Sequence, residues 1–214
     1  MNEKIGQIFS ITKDNMPIKG CTVSKSVNDY LTYYSLAVNT DISAEIYPYH
    51  KMILVMNGSC EIFGTDGYSR KLDVDECTVT MIDTPVGIKT NEGVIYIELS
   101  IRRTDKMNSV INAGEVFKLK ELLPYQEGKI VNMDITHNEM MKFALMAFDE
   151  GTGLSEHAAP GEAMVFALDG EAIIGYEGKD YPIKAGEQFC FAKGGLHSVK
   201  ATKQFKMALL LTLE

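Results

Sequence analysis

His157 and His197 are the residues of this sequence best placed to do chemistry. His157 follows Gly151 after five intervening residues. His197 follows Gly186, Ala192 and Gly194 in the run Gly186-x5-Ala192-x-Gly194-x2-His197. With a reference pKa of about 6.5, an imidazole exchanges protons near neutral pH, and its neutral form is a common metal ligand. Two of them could serve as general acid and base toward a carbonyl or enol substrate, or hold a divalent ion. Glu162, just after Pro160-Gly161, is the carboxylate that could join them. On a regular strand it points away from its neighbour Ala163, so a bend at Pro160-Gly161 is needed to turn it inward. His50 and His137 have no partner at ligand spacing and read as surface or structural residues. No Gly-x-Ser-x-Gly turn, no Gly-rich loop before a helix and no cysteine next to a histidine occurs, so the hydrolase, kinase and dinucleotide-enzyme readings fall away.

The elements that must position these side chains read as strands. Apolar runs of four to eight residues recur between Gly and Asp/Asn-rich turns throughout. In the second half the strands are expected at 143–148, 164–168, 172–176, 181–183, 188–191, 198–201 and 205–211, with turns at Leu168-Asp169-Gly170 and Glu177-Gly178-Lys179. In the first half they are expected at 30–38, 52–56, 61–63, 78–82 and 94–102. The two halves also resemble each other. Ile8-Phe9-Ser10 aligns with Val116-Phe117-Lys118, Gly20 with Gly128, Asn28 with Asn138, and Met56-Asn57-Gly58 with Leu168-Asp169-Gly170. The polar stretch 103–109 has no apolar period and reads as a connection. The expectation is an all-β protein of two similar domains, residues 1–110 and 111–214.

The second half resembles the cupin superfamily. Gly151, His157 and Gly170 fall on the first cupin motif, G-x5-H-x-H-x3,4-E-x6-G. Gly186, Ala192, Gly194 and His197 fall on the second, G-x5-P-x-G-x2-H-x3-N, with Ala in the proline slot. The run His157-Ala158-Ala159-Pro160-Gly161-Glu162-Ala163 is similar to that of small single-domain cupins. The resemblance implies two tandem cupin (jelly-roll) β-barrels, with Glu45 in the place of His157, His50 in that of Glu162 and Val86 in that of His197. The first barrel is then degenerate, contributing folding and interface, and the second carries the site. The family's metal set is three imidazoles and a carboxylate holding Mn, Fe, Ni, Zn or Cu. Here Ala159 replaces the second histidine and Ala163 the glutamate, so His157 and His197 are the surviving metal ligands and the two alanines are expected to leave space for an organic ligand.

Composition bounds the rest. The 214 residues carry a net charge of -8, with 29 acidic against 21 basic side chains and no basic run, so neither nucleic acid nor an anionic membrane surface is an expected partner. No stretch has the length of a signal peptide or membrane span, which points to the cytoplasm. The four cysteines lack any Cys-x-x-Cys pair and read as reduced thiols. Three functions stay open: small-molecule binding through His157, His197 and Glu162, a metal-dependent isomerase, dioxygenase, decarboxylase or lyase, and a structural role in oligomerisation. The fused halves are expected to form an intramolecular pseudo-dimer, alone or as a homodimer.

Overall fold

Period-two burial builds the molecule. Ala163, Val165 and Ala167 on one strand join Phe189 and Phe191 on the next in a single apolar cluster, so alternate side chains point to one interior. The computed structural model describes residues 4–65 and 67–213. In chain order its elements are β1 (Ile8–Phe9), α1 (Ile11–Asp14), β2 (Thr22–Ser26), β3 (Leu31–Leu36), β4 (Thr40–Ile46), β5 (His50–Gly58), β6 (Cys60–Phe63), β7 (Ser69–Leu72), β8 (Glu76–Val79), β9 (Pro85–Thr90) and β10 (Val94–Ile101). There follow β11 (Lys106–Met107), β12 (Val116–Lys118), a short 3-10 helix (Leu119–Glu121), β13 (Ile130–His137), β14 (Met141–Phe148), β15 (Gly153–Ala158), β16 (Glu162–Tyr176), β17 (Lys179–Lys184), β18 (Gln188–Phe191) and β19 (Leu196–Thr212). The fold is all-β, as expected, and among the described residues no helix is long and apolar enough to cross a membrane.

The chain divides into two compact units, neither of which is a continuous half of the sequence. The first comprises residues 11–105 and 109–118, and the second 4–10, 106–108 and 119–213. Short strands are traded across the expected boundary near residue 110. β1 pairs with β18 through Ile8↔Phe189 and Phe9↔Gln188, which satisfies an edge of the second unit's sheet. β11 adds to β13 in the same unit, whereas β12 pairs with β8 in the first.

The first unit holds a six-stranded sheet in the order β12-β8-β5-β10-β3-β2 and a four-stranded sheet in the order β4-β9-β6-β7. In the second unit the path β1-β18-β16-β19-β14-β13-β11 follows the first of these orders, and β15-β19-β16-β17 follows the second. Its two sheets merge because β16 and β19 run through both. β16 was expected as two strands around a turn at Leu168-Asp169-Gly170. Instead the ladder to β19 continues with irregularities between Ala167 and Asp169 and between Gly170 and Ala172. Gly170 permits this at φ +69°, where a Cβ would lie 1.7 Å from the Gln204 carbonyl oxygen.

Each unit has its own core. The second encloses Phe148, Val165, Ile174, Phe189, Phe191, Phe205 and Met207. The first encloses Leu36, Ile53, Val55, Ile62, Leu72, Ile88 and Tyr96. Full burial of an aliphatic or aromatic side chain of this kind contributes about 1.5–3 kcal/mol, so either unit can hold its sheets together by apolar packing. Cys60, Cys77 and Cys190 are buried as small apolar residues and Cys21 is exposed, all as free thiols.

Candidate functional site

The two histidines meet on one rung. β15 pairs with β19 through Leu154↔Val199, shifts register, and resumes with His157↔His197. Facing residues on antiparallel strands present their side chains on the same side, and the rings lie 4.2 Å apart between centroids at 50°. The rung continues to β16, where Tyr176 faces His197 from the other flank. Below the pair, Phe191 sets its ring 4.2 Å from that of His197. Tyr176 packs on Phe191 and Phe189, each at 5.6 Å, and its hydroxyl accepts a 3.4 Å hydrogen bond from the Ala192 amide.

The tautomer of each ring follows from its partner. His157 Nδ1 lies 2.8 Å from the Ser155 carbonyl oxygen, and His197 Nδ1 lies 3.2 Å from that of Gly195. A carbonyl only accepts, so each Nδ1 carries the proton and each neutral ring keeps its lone pair on Nε2. His157 is exposed and His197 buried, so the pair runs from solvent into the interior. Burial holds the His197 pKa below its ordinary 6.5; the Gly195 carbonyl works against that shift, and His157 repels a second positive charge. With both rings neutral the site offers two acceptors beside an aromatic wall.

Glu162 is not brought to the pair. Ala163 belongs to the inner cluster, so its neighbour Glu162 takes the other face of β16, where its charge bears on the buried Cys190. Its backbone carbonyl accepts from the Thr212 hydroxyl at 3.4 Å, and the strand begins at Glu162 without turning its side chain inward. The chain does bend at Pro160 and Gly161, but the strand that follows sets Ala163, not Glu162, on the inner face. Ala159 and Ala163, each 3% exposed, are packed members of the inner cluster. Among the described residues, no group of three or more His, Cys, Asp or Glu side chains is arranged to hold a metal. Two imidazoles without a carboxylate do not make up the donor set of a full cupin metal centre.

Sequence reasoning found the histidines but did not single out Tyr176, whose place beside His197 exists only because β16 is one continuous strand. His50, in the first unit, is bound through Nδ1 to the Thr80 carbonyl oxygen at 2.6 Å. Glu45 and Val86 face each other across β4 and β9, after a register shift following Ile42↔Ile88. That rung repeats the one that joins His157 to His197.

Residues 144–213 match the cupin domain family model. The chain is 31% identical over 86 residues to the oxalate-binding protein of Thermotoga maritima, an alignment that takes in 39% of this chain and 70% of that protein. A cupin 2 conserved barrel domain protein from Leptotrichia buccalis superposes with a TM-score of 0.84 at 26% identity, covering 98% of this chain and 97% of that one. A salicylate 1,2-dioxygenase from Pseudaminobacter salicylatoxidans shares the fold at TM-score 0.66 and 8% identity, over 98% and 85% of the two chains. The paired histidines, the motif glycines and these matches agree: the chain belongs to the cupin superfamily.

Proposed function

We propose that the chain is a bicupin whose second unit binds a small organic molecule at His157 and His197. The duplicated reading rests on the parallel strand orders and on the Glu45↔Val86 rung that repeats His157↔His197. The binding reading rests on one observation above all: both Nδ1 atoms are committed to carbonyls, so both Nε2 atoms accept. Such a site favours a ligand with a hydroxyl, phenol, enol or protonated acid group and an apolar body to lie against Phe191. The similarity to a protein named for oxalate binding makes oxalate a ligand to test, and because its carboxylates are ionised at neutral pH and only accept hydrogen bonds, it would bind here through a metal rather than to the bare Nε2 pair. A weakly held divalent ion, Mn, Fe, Ni, Zn or Cu, is the second reading, favoured by the same two Nε2 lone pairs. A metal-dependent enzyme would need donors beyond this pair.

A thermal-shift screen of oxalate, monocarboxylic acids and phenols, each with and without a divalent metal, tests the reading, because a ligand bound only by the native state raises apparent stability. Stabilisation without metal that is lost in His157→Ala is the expected result. Stabilisation by oxalate only when metal is present would favour the second reading. Shifts that persist in His157→Ala would remove the pair from the binding site.

A further inference from the structure

Tyr176, which flanks His197 on its rung, is gripped by two glycines that stand far apart in the sequence. A Cβ on Gly195 would lie 2.6 Å from Tyr176 Cε2 and 2.9 Å from its hydroxyl oxygen. On the opposite edge of the ring, a Cβ on Gly6 would lie 3.2 Å from Cε1 and 3.4 Å from Cδ1. Carbon atoms of packed side chains rarely come this close, so the ring fits because both neighbours lack a Cβ. Tyr176 is only 8% exposed and packs on Phe189 and Phe191, which leaves the ring little room to yield.

Gly6 reaches the ring because the start of the chain is tied down along β18. Its amide donates to the Cys190 carbonyl at 3.0 Å, Ile5 forms a parallel bridge with Cys190, and Ile5 and Ile8 pack against the cluster that contains Tyr176. Gly195 carries the contact on to the histidine. Its carbonyl accepts from His197 Nδ1 at 3.2 Å and from the Ala159 amide at 3.1 Å, while its own amide donates to the Ala192 carbonyl at 3.0 Å. The Ala192 amide closes the loop by donating to the Tyr176 hydroxyl at 3.4 Å.

We propose that Gly6 is a positioning residue for the His157–His197 site: the docked start of the chain holds the Tyr176 ring against Gly195 and so keeps the Gly195 carbonyl on His197 Nδ1. Residues at the very beginning of the sequence thereby help to fix which His197 nitrogen is left to accept from a ligand. Backbone conformation by itself would account for a glycine at position 6, where φ is +71°. The contact with Tyr176 adds a requirement that Gly20, at φ +73° with nothing within 4 Å, does not share. The role deepens the binding reading of the histidine pair and rests on it for the effect on affinity, whereas the effect on the His197 ring stands without a ligand.

The test reads the imidazole nitrogens of the full, ligand-free chain by long-range proton–nitrogen correlation above neutral pH, where the rings are uncharged and the four histidines give few signals. Wild type should show His197 protonated on Nδ1. Gly6→Ala should move its signals toward the Nε2-protonated form, while Gly20→Ala, which carries the same backbone strain without the contact, should leave them in place. Added to Tyr176→Leu, Gly6→Ala should cause no further change, because the link is already gone. Ile5→Ala loosens the same segment without adding a contact, so it should shift His197 in the same direction, and it decides the matter if Gly6→Ala does not fold. Phenol titrated into the same samples should bind Gly6→Ala about two- to tenfold more weakly than wild type, as for loss of one neutral hydrogen bond. Wild-type His197 signals in the folded variants, an equal shift in Gly20→Ala, an additive effect in the Tyr176→Leu background, or undiminished phenol affinity in Gly6→Ala would each overturn the proposal. Shifted His197 signals in a protein whose wild type binds no phenol would support the positioning role and count against the binding reading instead.

Discussion

Restoring the family's second histidine, by Ala159→His, asks whether the alanines beside the pair border empty space or packed core. Ala159 is 3% exposed and belongs to the cluster that includes Phe191 and Tyr176. Its amide donates to the Gly195 carbonyl at 3.1 Å and its carbonyl accepts from Gly194 at 2.8 Å, so its backbone is held on both sides. An imidazole at this position cannot be absorbed by a simple shift of the chain. Overpacking of this kind costs about 1–3 kcal/mol, and at roughly 2–4 °C per kcal/mol for a chain of this size a cost of ~2 kcal/mol lowers the melting temperature by roughly 4–8 °C. Differential scanning calorimetry in chelator-treated buffer reads this directly. Zinc or nickel should then recover part of the loss, because a third imidazole joins two Nε2 donors and a ligand at a hundred times its dissociation constant adds about 2.7 kcal/mol. A variant that melts with wild type in the absence of metal would refute the packed reading and return Ala159 to the wall of an open cavity.

Other expectations follow from the same geometry. Because the folded His197 pKa is depressed, the unfolded chain takes up its proton first as pH falls below about 6.5. The His197 contribution therefore destabilises the fold progressively until the folded ring also titrates; urea midpoints from pH 8 to 5 should fall less steeply in His197→Gln, and equal slopes would contradict this. Gly170→Ala must place a Cβ against the Gln204 carbonyl at a positive φ, so loss of more than ~3 kcal/mol in urea unfolding is expected, whereas Gly178→Ala, with nothing within 4 Å, should cost only the ~1–2 kcal/mol of the left-handed conformation. Of the four thiols, Cys21 alone should react promptly with a disulfide reagent in the native protein, since burial pushes the Cys60 and Cys190 pKa values up to about 12 and that of Cys77 further. Prompt labelling of a second cysteine would argue against those closed cores. A fragment spanning 113–214 lacks β1 and β11, and should self-associate in sedimentation experiments; a monodisperse monomer would show that those edges need no cover.

The parts of the fold legible in the sequence were those with an apolar face. Gln188–Phe191 was located to the residue because its buried Phe-Cys-Phe run is bounded by turns, and the expected 94–102 strand differs from Val94–Ile101 by one residue. β2 was missed because all five of its residues are exposed, and β15 because only Leu154 is even half-buried. An edge strand held by backbone hydrogen bonds leaves little trace in hydrophobic periodicity. β16 and β19 were each divided in two, since a glycine bulge and a polar run look the same as a turn until the partner strand is seen. Within the site, motif spacing was enough to bring His157 and His197 together, whereas the bend at Pro160-Gly161 sets Ala163 rather than Glu162 on the inner face, a direction that spacing alone did not decide.

The strand traded from the start of the chain also sets an order of events during synthesis. Ile8 and Phe9 dock on Phe189 and Gln188, which are made about 180 residues later (189 − 8). At 5–20 residues per second those two residues wait roughly ten to forty seconds for their partner, while the first unit, closed except for β12, completes its pairings within the first 118 residues. The nascent chain thus carries a folded unit and an unpaired apolar strand until β18, the last strand but one, is made. A substitution that slows formation of β18 would therefore prolong exposure of residues at the opposite end of the sequence, and its effect would be felt in yield before it was felt in the stability of the finished protein.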